Sequence, residues 1–272
     1  YSGDATDSVV GHPYDIGRML PDIVASVERR LPRVIARLDE YKTAVTPRRR
    51  SFSAALASPG MSVIAELKRR SPSRGVLTAG LDPAQQARAY EAGGASCISV
   101  LTEQDHFSGS ADDLRQVRAA VGLPVLRKDF IIHPAQIWES VAMGADAVLL
   151  IVAILDDETM GDLYRAARDV GIPALVETHT EQEVERANRL GAEIVGVNSR
   201  DLATFDVDLR TAERLASLIA PSVLKVAESG IHSPIDAQRM LAVGFDGVLV
   251  GESLVKASNP GRLVADLAAI EL

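Results

Sequence analysis

Apolar residues arrive along this chain in short, evenly spaced runs, and stretches with the look of amphipathic helices separate them. The Val/Ile/Leu-rich runs begin near residues 61, 95, 124, 146, 173, 193, 222 and 246. Between them lie DPAQQARAYEAGG, PAQIWESVAMGAD, ETMGDLYRAARDVGIP, TEQEVERANRLGAE and SPIDAQRMLAVGFD, which read as helices. Most end in a glycine just before the next run (Gly93, Gly122, Gly144, Gly171, Gly191, Gly244), where a left-handed helix end favours a residue without a side chain. Strands that are apolar almost throughout belong to a parallel sheet covered on both faces. Eight strand-plus-helix units predict an α/β fold whose sheet closes on itself, a (β/α)8 TIM barrel over residues 61–272. A doubly wound open sheet is the competing fold, but no glycine-rich dinucleotide turn follows the first strand.

Residues 1–60 read as a helical, lid-like extension ahead of the barrel. The first 18 are polar and show no sustained period, so they are expected to be loose or to form a short lid. From Leu20 to Lys42, Val24, Val27, Leu31, Val34 and Leu38 recur at alternating three and four, a helical stripe interrupted by Pro32. Two helices or one kinked helix are expected there. Arg48, Arg49 and Arg50 follow, and SFSAALA from Ser51 has the form of a short capped helix.

A barrel of this kind carries its chemistry at the C-terminal ends of its strands. The first strand runs into charge as VIAELKRRSPSRG: Ile64, Glu66 and Lys68 are two apart and share the inward face. Two charges on an inward face are expensive unless they serve each other or a ligand. The third strand ends in Arg127, Lys128, Asp129 and Phe130, the fifth in Glu177, and the sixth offers Asn198 and Arg200. Glu228, Ser229 and Gly230 end the seventh, Gly251 and Ser253 the eighth. The second gives Ser99 to Thr102, then Phe107 to Ser110, while the fourth is apolar to its end. Three carboxylates (Glu66, Glu177, Glu228) and two lysines (Lys68, Lys128) therefore meet at one mouth. Crowded charges shift one another's pKa values, by which a lysine becomes a usable general acid near neutral pH. The ESG and GES turns, joined by Ser71 and the nearby Arg70 and Arg74, have the small residues from which barrels build a phosphate site.

Composition narrows the picture. The chain has 272 residues, 47% of them hydrophobic, enough for one large domain. A net charge of −8 argues against nucleic-acid binding. Cys97, the single cysteine, sits in the apolar run ASCISVL and reads as a buried thiol. The five histidines show no paired ligand spacing, so no metal is expected, and His179 reads as a solvated loop residue. No window approaches 18 apolar residues, and the start lacks a secretory pattern, which predicts a cytoplasmic protein without membrane contact. Tyr1 in place of an initiator methionine points to processing or an expression boundary. The barrel takes up the chain, leaving no room for a fused pathway enzyme.

The segments IAELKRRSPSRG, VLTEQDHFSGS, PVLRKDFI, LVETHTEQE, GVNSRDL, KVAESGI and GVLVGESL, in this order, resemble the strand-end motifs of the indole-3-glycerol phosphate synthases of tryptophan biosynthesis. The resemblance covers residues 61–257, whereas residues 1–45 do not resemble the family's usual N-terminal helix. It implies a barrel lyase with a helical extension that converts 1-(2-carboxyphenylamino)-1-deoxyribulose 5-phosphate to indole-3-glycerol phosphate, CO2 and water, without cofactor. It implies that Lys128 is the general acid, that Lys68 binds the substrate carboxylate and assists dehydration, and that Glu177 is a base or cation stabiliser. Glu66, Asn198 and Glu228 would orient these groups. Which of Lys68, Glu66 and Glu177 handles the dehydration protons stays open. The resemblance further places Phe107, Phe130 and Leu149 at the anthranilate ring, Ser71, Ser229, Gly230, Gly251 and Ser253 at the phosphate, and Arg200 among neighbouring carboxylates. The alternatives are another phosphate-binding barrel, such as a phosphoribosyl isomerase, and a non-catalytic phospho-ligand-binding barrel. A monomer and a weak homodimer are both compatible with the sequence.

Overall fold

The computed structural model describes residues 19–44, 49–71, 75–78, 80–201 and 204–271. Eight parallel strands close into a barrel: β1 (Ser62–Leu67), β2 (Cys97–Leu101), β3 (Val125–Lys128), β4 (Ala147–Ile151), β5 (Ala174–Thr178), β6 (Ile194–Asn198), β7 (Leu224–Glu228) and β8 (Gly247–Val250). They pair in chain order, and β8 returns to β1 with Ile64 opposite Leu249. The two-residue period of each strand divides its side chains between two cores. Val63, Ala65 and Leu67 face the surrounding helices, as do Ile98, Val125 and Val148. Ile64, Cys97, Leu126, Ala147, Leu149, Leu175, Ile194, Val226 and Leu249 fill the interior. That double burial is why the strands are apolar on both faces. Cys97 is fully buried, and burial pushes its thiol pKa well up, so it stays a neutral packing group.

The helices before the barrel are α1 (Met19–Ala36), α2 (Leu38–Thr43) and α3 (Phe52–Leu56). The chain continues helical through Pro32 and breaks at Arg37, whose N–H turns back to the Val34 carbonyl at 3.2 Å. The expected interruption is therefore displaced by more than a turn. Ile23 and Val27 are buried and hold the first half in place. The carbonyl that Pro32 leaves without a partner lies on exposed Glu28, where water can satisfy it. Among the expected left-handed helix ends, Gly144, Gly171, Gly191 and Gly244 have positive φ, but Gly122 does not, and Gly93 is right-handed while Gly94 takes φ +89°. Gly93 is small for another reason, because a Cβ there would overlap the Gly261 carbonyl oxygen.

α3 seals the N-terminal end of the barrel. Ser51 Oγ caps it by accepting from the Ala54 N–H at 3.2 Å. Ser62 Oγ donates to the Ala55 and Leu56 carbonyls at 3.1 and 3.2 Å, fixing the helix to the start of β1. Phe52 and Leu56, both fully buried, then extend the interior core downward. The basic run just before α3 is structural. Arg50 donates from its backbone to Asp146 Oδ1 at 2.8 Å and from its guanidinium to the Leu123 carbonyl at 2.7 Å, while Arg49 reaches the Val170 carbonyl. Arg48 lies outside the described residues, as do residues 1–18 of the expected lid. Replacing Phe52 with Ala is expected to lower unfolding free energy by about 3–5 kcal/mol, measured by urea titration, because the barrel floor cannot collapse into the cavity.

Candidate active site

The layer above the apolar interior is polar, and strand register puts it there. Moving up from Ile64, Leu126, Leu175 and Val226, the next inward positions are Glu66, Lys128, Glu177 and Glu228. Asn198 lies opposite Glu228, and Glu177 opposite Ile151. Lys128 Nζ sits between two carboxylates, 3.1 Å from Glu177 Oε2 and 2.9 Å from Glu228 Oε2. Across the mouth, Lys68 Nζ lies 2.5 Å from Glu66 Oε1. Asn198 Nδ2 donates to Glu177 Oε1 at 3.3 Å. The three carboxylate residues are 1–3% exposed.

The electrostatics follow from that crowding. Burial alone would lower the Lys128 pKa, but Glu228, Glu177 and Glu66 outweigh it and push it well above the ordinary lysine value. The expectation of a lysine tuned toward neutrality is thus reversed, since carboxylates outnumber ammonium groups around Nζ. Burial would raise Glu177, yet Lys128 and His179 together hold its pKa below the usual carboxylate range. Glu228 is pushed up, by burial and by the negative charge of Glu177, against the pull of Lys128. The two carboxylates titrate as a pair, with the more proton-loving member on β7.

Around this centre the pocket divides by chemistry. One wall is apolar: the rings of Phe107 and Phe130 lie with centroids 6.0 Å apart at an interplanar angle of 32°, and Leu149 and Ile151 of β4 continue the wall. The strand that seemed to offer no chemistry supplies this surface. The opposite side is made of Ser71, Ser229, Gly230, Gly251 and Ser253. Ser229 and Gly230 both have positive φ, at 62° and 83°, so the chain makes a left-handed turn on this side of the pocket. Ser253 Oγ donates to the Ile231 carbonyl at 2.9 Å and lies 2.8 Å from His232 Nδ1. Arg200 lies on the same rim, 3.9 Å from Glu252 Oε2, with its guanidinium also donating to the Phe205 carbonyl at 3.1 Å. All fifteen residues singled out from the sequence line this one pocket. Pro72, Ser73 and Arg74 of the first loop lie outside the described residues.

The family model for indole-3-glycerol phosphate synthase matches residues 18–267. The chain belongs to that family. Indole-3-glycerol phosphate synthase from Mycolicibacterium smegmatis is 51% identical over 232 residues, 85% of each chain. The protein of that name from Streptomyces griseus is 49% identical over 255 residues, 92% of this chain and 95% of its own. Among solved structures, a 3-hexulose-6-phosphate synthase superposes with a TM-score of 0.63 at 15% identity over 78% of this chain and 100% of its own, a likeness of fold. Nothing in these comparisons favours the isomerase or binding-only alternatives. The match takes in α1 and α2, so the expected departure of residues 1–45 is corrected: the family extends to residue 18. An amphipathic stripe crossed by Pro32 carries too little individual pattern to be recognised as the family's extension.

Sequence reasoning missed several groups that shape the pocket. Gly196 leaves room for a carboxylate, since a Cβ there would overlap Glu228 Oε1; Gly251, singled out for the phosphate, does the same for Glu66 Oε1. Glycine inside a strand was the available signal. Glu103, fully buried, accepts the backbone N–H groups of Asp105, His106 and Phe107 at 3.1, 2.8 and 3.1 Å and so sets the loop that presents Phe107. Arg30 of α1 reaches both Glu103 and Asp129 at 3.8 Å. His179 also departs from expectation, being buried between two carboxylates. Among the described residues no helix is long and apolar enough to cross a membrane. Gly251→Ala is expected to lower stability by about 1–3 kcal/mol through the clash with Glu66. Thermal unfolding checks this, and an unchanged Tm would mean that Glu66 swings aside freely.

Proposed function

We propose that this chain is an indole-3-glycerol phosphate synthase, closing the indole ring of 1-(2-carboxyphenylamino)-1-deoxyribulose 5-phosphate with loss of CO2 and then of water. The observation that carries the reading is the Lys128 ammonium held between Glu177 and Glu228, facing an aromatic wall on one side and a small-residue turn on the other. The substrate has the same division: an aromatic acid at one end, a phosphate at the other, and a reacting carbonyl between them.

In this reading the anthranilate ring lies against Phe107, Phe130 and Leu149, and the phosphate meets Ser71, Ser229, Gly230, Gly251 and Ser253. Lys68, paired to Glu66, neutralises the substrate carboxylate until it leaves as CO2. As the ring carbon attacks the ribulose carbonyl, negative charge develops on the oxygen, and Lys128 delivers a proton to it. Loss of CO2 restores the electron pair to the ring. Expulsion of the resulting hydroxyl as water needs a second proton donor and a base, from the group Lys68, Glu66 and Glu177. Asn198 and Glu228 hold these side chains in register, and Arg200 braces the rim. Glu66 Oε2 and Glu228 Oε1, which make no hydrogen bond within the described residues, are acceptors for the sugar hydroxyls. A cytoplasmic location, action as a monomer or weak homodimer, and a closing role for residues 1–60 over the barrel of residues 61–272 belong to the same proposal.

The deciding assay is indole fluorescence after adding the carboxyphenylamino-deoxyribulose phosphate to purified protein. Tight substrate binding without fluorescent product would leave only a binding barrel. Lys128→Ala is expected to abolish turnover with substrate affinity kept within about tenfold, because the proton is needed in the transition state. A tenth or more of wild-type kcat in that variant would remove Lys128 from the acid role. Lys68→Ala is expected to weaken binding as well, by about tenfold or more, through the lost carboxylate partner. Calorimetry measures this, and unchanged affinity contradicts the assignment.

A further inference from the structure

His179 follows β5 and has no role in the scheme above. Its side chain is 9% exposed although it stands beyond the end of the strand. Nε2 lies 3.4 Å from Glu177 Oε1, an ion-pair distance at which it makes no hydrogen bond within the described residues, whereas Nδ1 makes a hydrogen-bonding contact with Glu183 Oε2 at 3.2 Å. The His179 backbone N–H donates to the same Glu183 oxygen at 2.8 Å, so ring and main chain are fixed by one carboxylate. Glu183 is itself held at the start of a helix (Glu181–Leu190), where its N–H donates to the capping Thr180 Oγ1 at 3.2 Å.

A neutral imidazole carries one N–H and one lone pair. With a carboxylate at each nitrogen, that lone pair would face negative charge whichever tautomer formed. The imidazolium fits both contacts. No nearby cation opposes it from the same helix, because Arg186 turns away to the Val152 carbonyl and Asp157. From β7, Glu228 adds further negative potential, and the Lys128 ammonium is engaged with the other oxygen of Glu177.

We propose that His179, braced by Glu183, is a positioning residue for the reaction proposed above: as an imidazolium it holds Glu177 Oε1, leaving Oε2 aligned on Lys128. The inference rests on that reading for its catalytic meaning and on the geometry alone for its protonation. Burial lowers the His179 pKa, but Glu183 and Glu177 raise it further, and the balance is upward. The consequence for Glu177 is that it stays ionised, and so able to take a proton, in a site where burial would neutralise it.

Two measurements test this separately. Histidine ring NMR on the wild-type protein is expected to show His179 titrating above the ordinary value of about 6.5, and its midpoint to fall in Glu183→Gln. A midpoint at or below 6.5, or one unmoved by Glu183→Gln, overturns the proposal whether or not the protein turns over substrate. Kinetics across about pH 3 to 9, a window that reaches down toward the lowered Glu177 titration, then compare wild type with His179→Gln, a polar side chain of similar reach that loses the charge. The kcat is expected to fall by about tenfold or more with KM within about threefold, and the acid limb to move to higher pH as Glu177 loses a neighbouring cation. A fall in kcat with an unmoved acid limb, or a lowered Tm with kcat unchanged, would make His179 a packing residue and sink the idea. Failure of the wild-type protein to form indole product strikes the proposed function instead, and leaves the NMR result standing.

Discussion

A single ammonium surrounded by carboxylates governs the mouth of this barrel. Lys128 Nζ lies within 3.1 Å of both Glu177 and Glu228, and Glu66 contributes to the same field. Buried charge is unfavourable unless it is paired with good geometry, and removing one member of such a cluster leaves another uncompensated. The cluster therefore requires a frame that cannot relax. Closure of the sheet supplies it, because each of these side chains stands on a strand whose two neighbours are hydrogen-bonded in fixed register.

The apolar floor and the charged mouth are consecutive layers of one construction. The same alternation that sends Ile64, Leu126 and Leu175 into the interior sends Glu66, Lys128 and Glu177 there one step later. Phe52 and Leu56 of α3 close the lower end, so the interior is apolar and packed below the charges. Behind Lys128, Arg127 is turned outward and spans Thr102, Asp129 and Glu139 at 2.9–3.0 Å. Arg30 of α1 reaches the same Asp129 and the Glu103 that shapes the Phe107 loop, which ties the N-terminal helix to the aromatic wall.

The period-two rule made most of this legible. It placed the eight strands within about two residues, marked Glu66 and Lys68 as inward, and gathered the strand-end residues that the pocket brings together. The same rule, carried one step past β5, puts His179 on the face of Glu177, and its burial was readable on that ground. Gly196 carried a weaker signal, a glycine inside a strand, whose meaning depends on the Glu228 carboxylate lying over it. Arg30 gave no local signal, since its partners Glu103 and Asp129 stand 73 and 99 residues further along the chain. The direction of the Lys128 shift required a count of charges in space that strand order alone does not supply.

That shift bears on the proposed chemistry. A lysine pushed upward is a weaker acid, which at first sight disfavours it as a proton donor. Two conditions matter for a general acid: it must hold its proton at working pH, and the acceptor must be more basic than it in the transition state. The three carboxylates guarantee the first. Ring closure supplies the second, because the attacked carbonyl oxygen passes toward an alkoxide, far more basic than any ammonium. The same carboxylates then favour the state in which a proton returns to Lys128, from water or from Glu228, whose own affinity for a proton is raised. On this view the cluster tunes recovery of the acid after each turnover, while the reacting oxygen provides the driving force for its use.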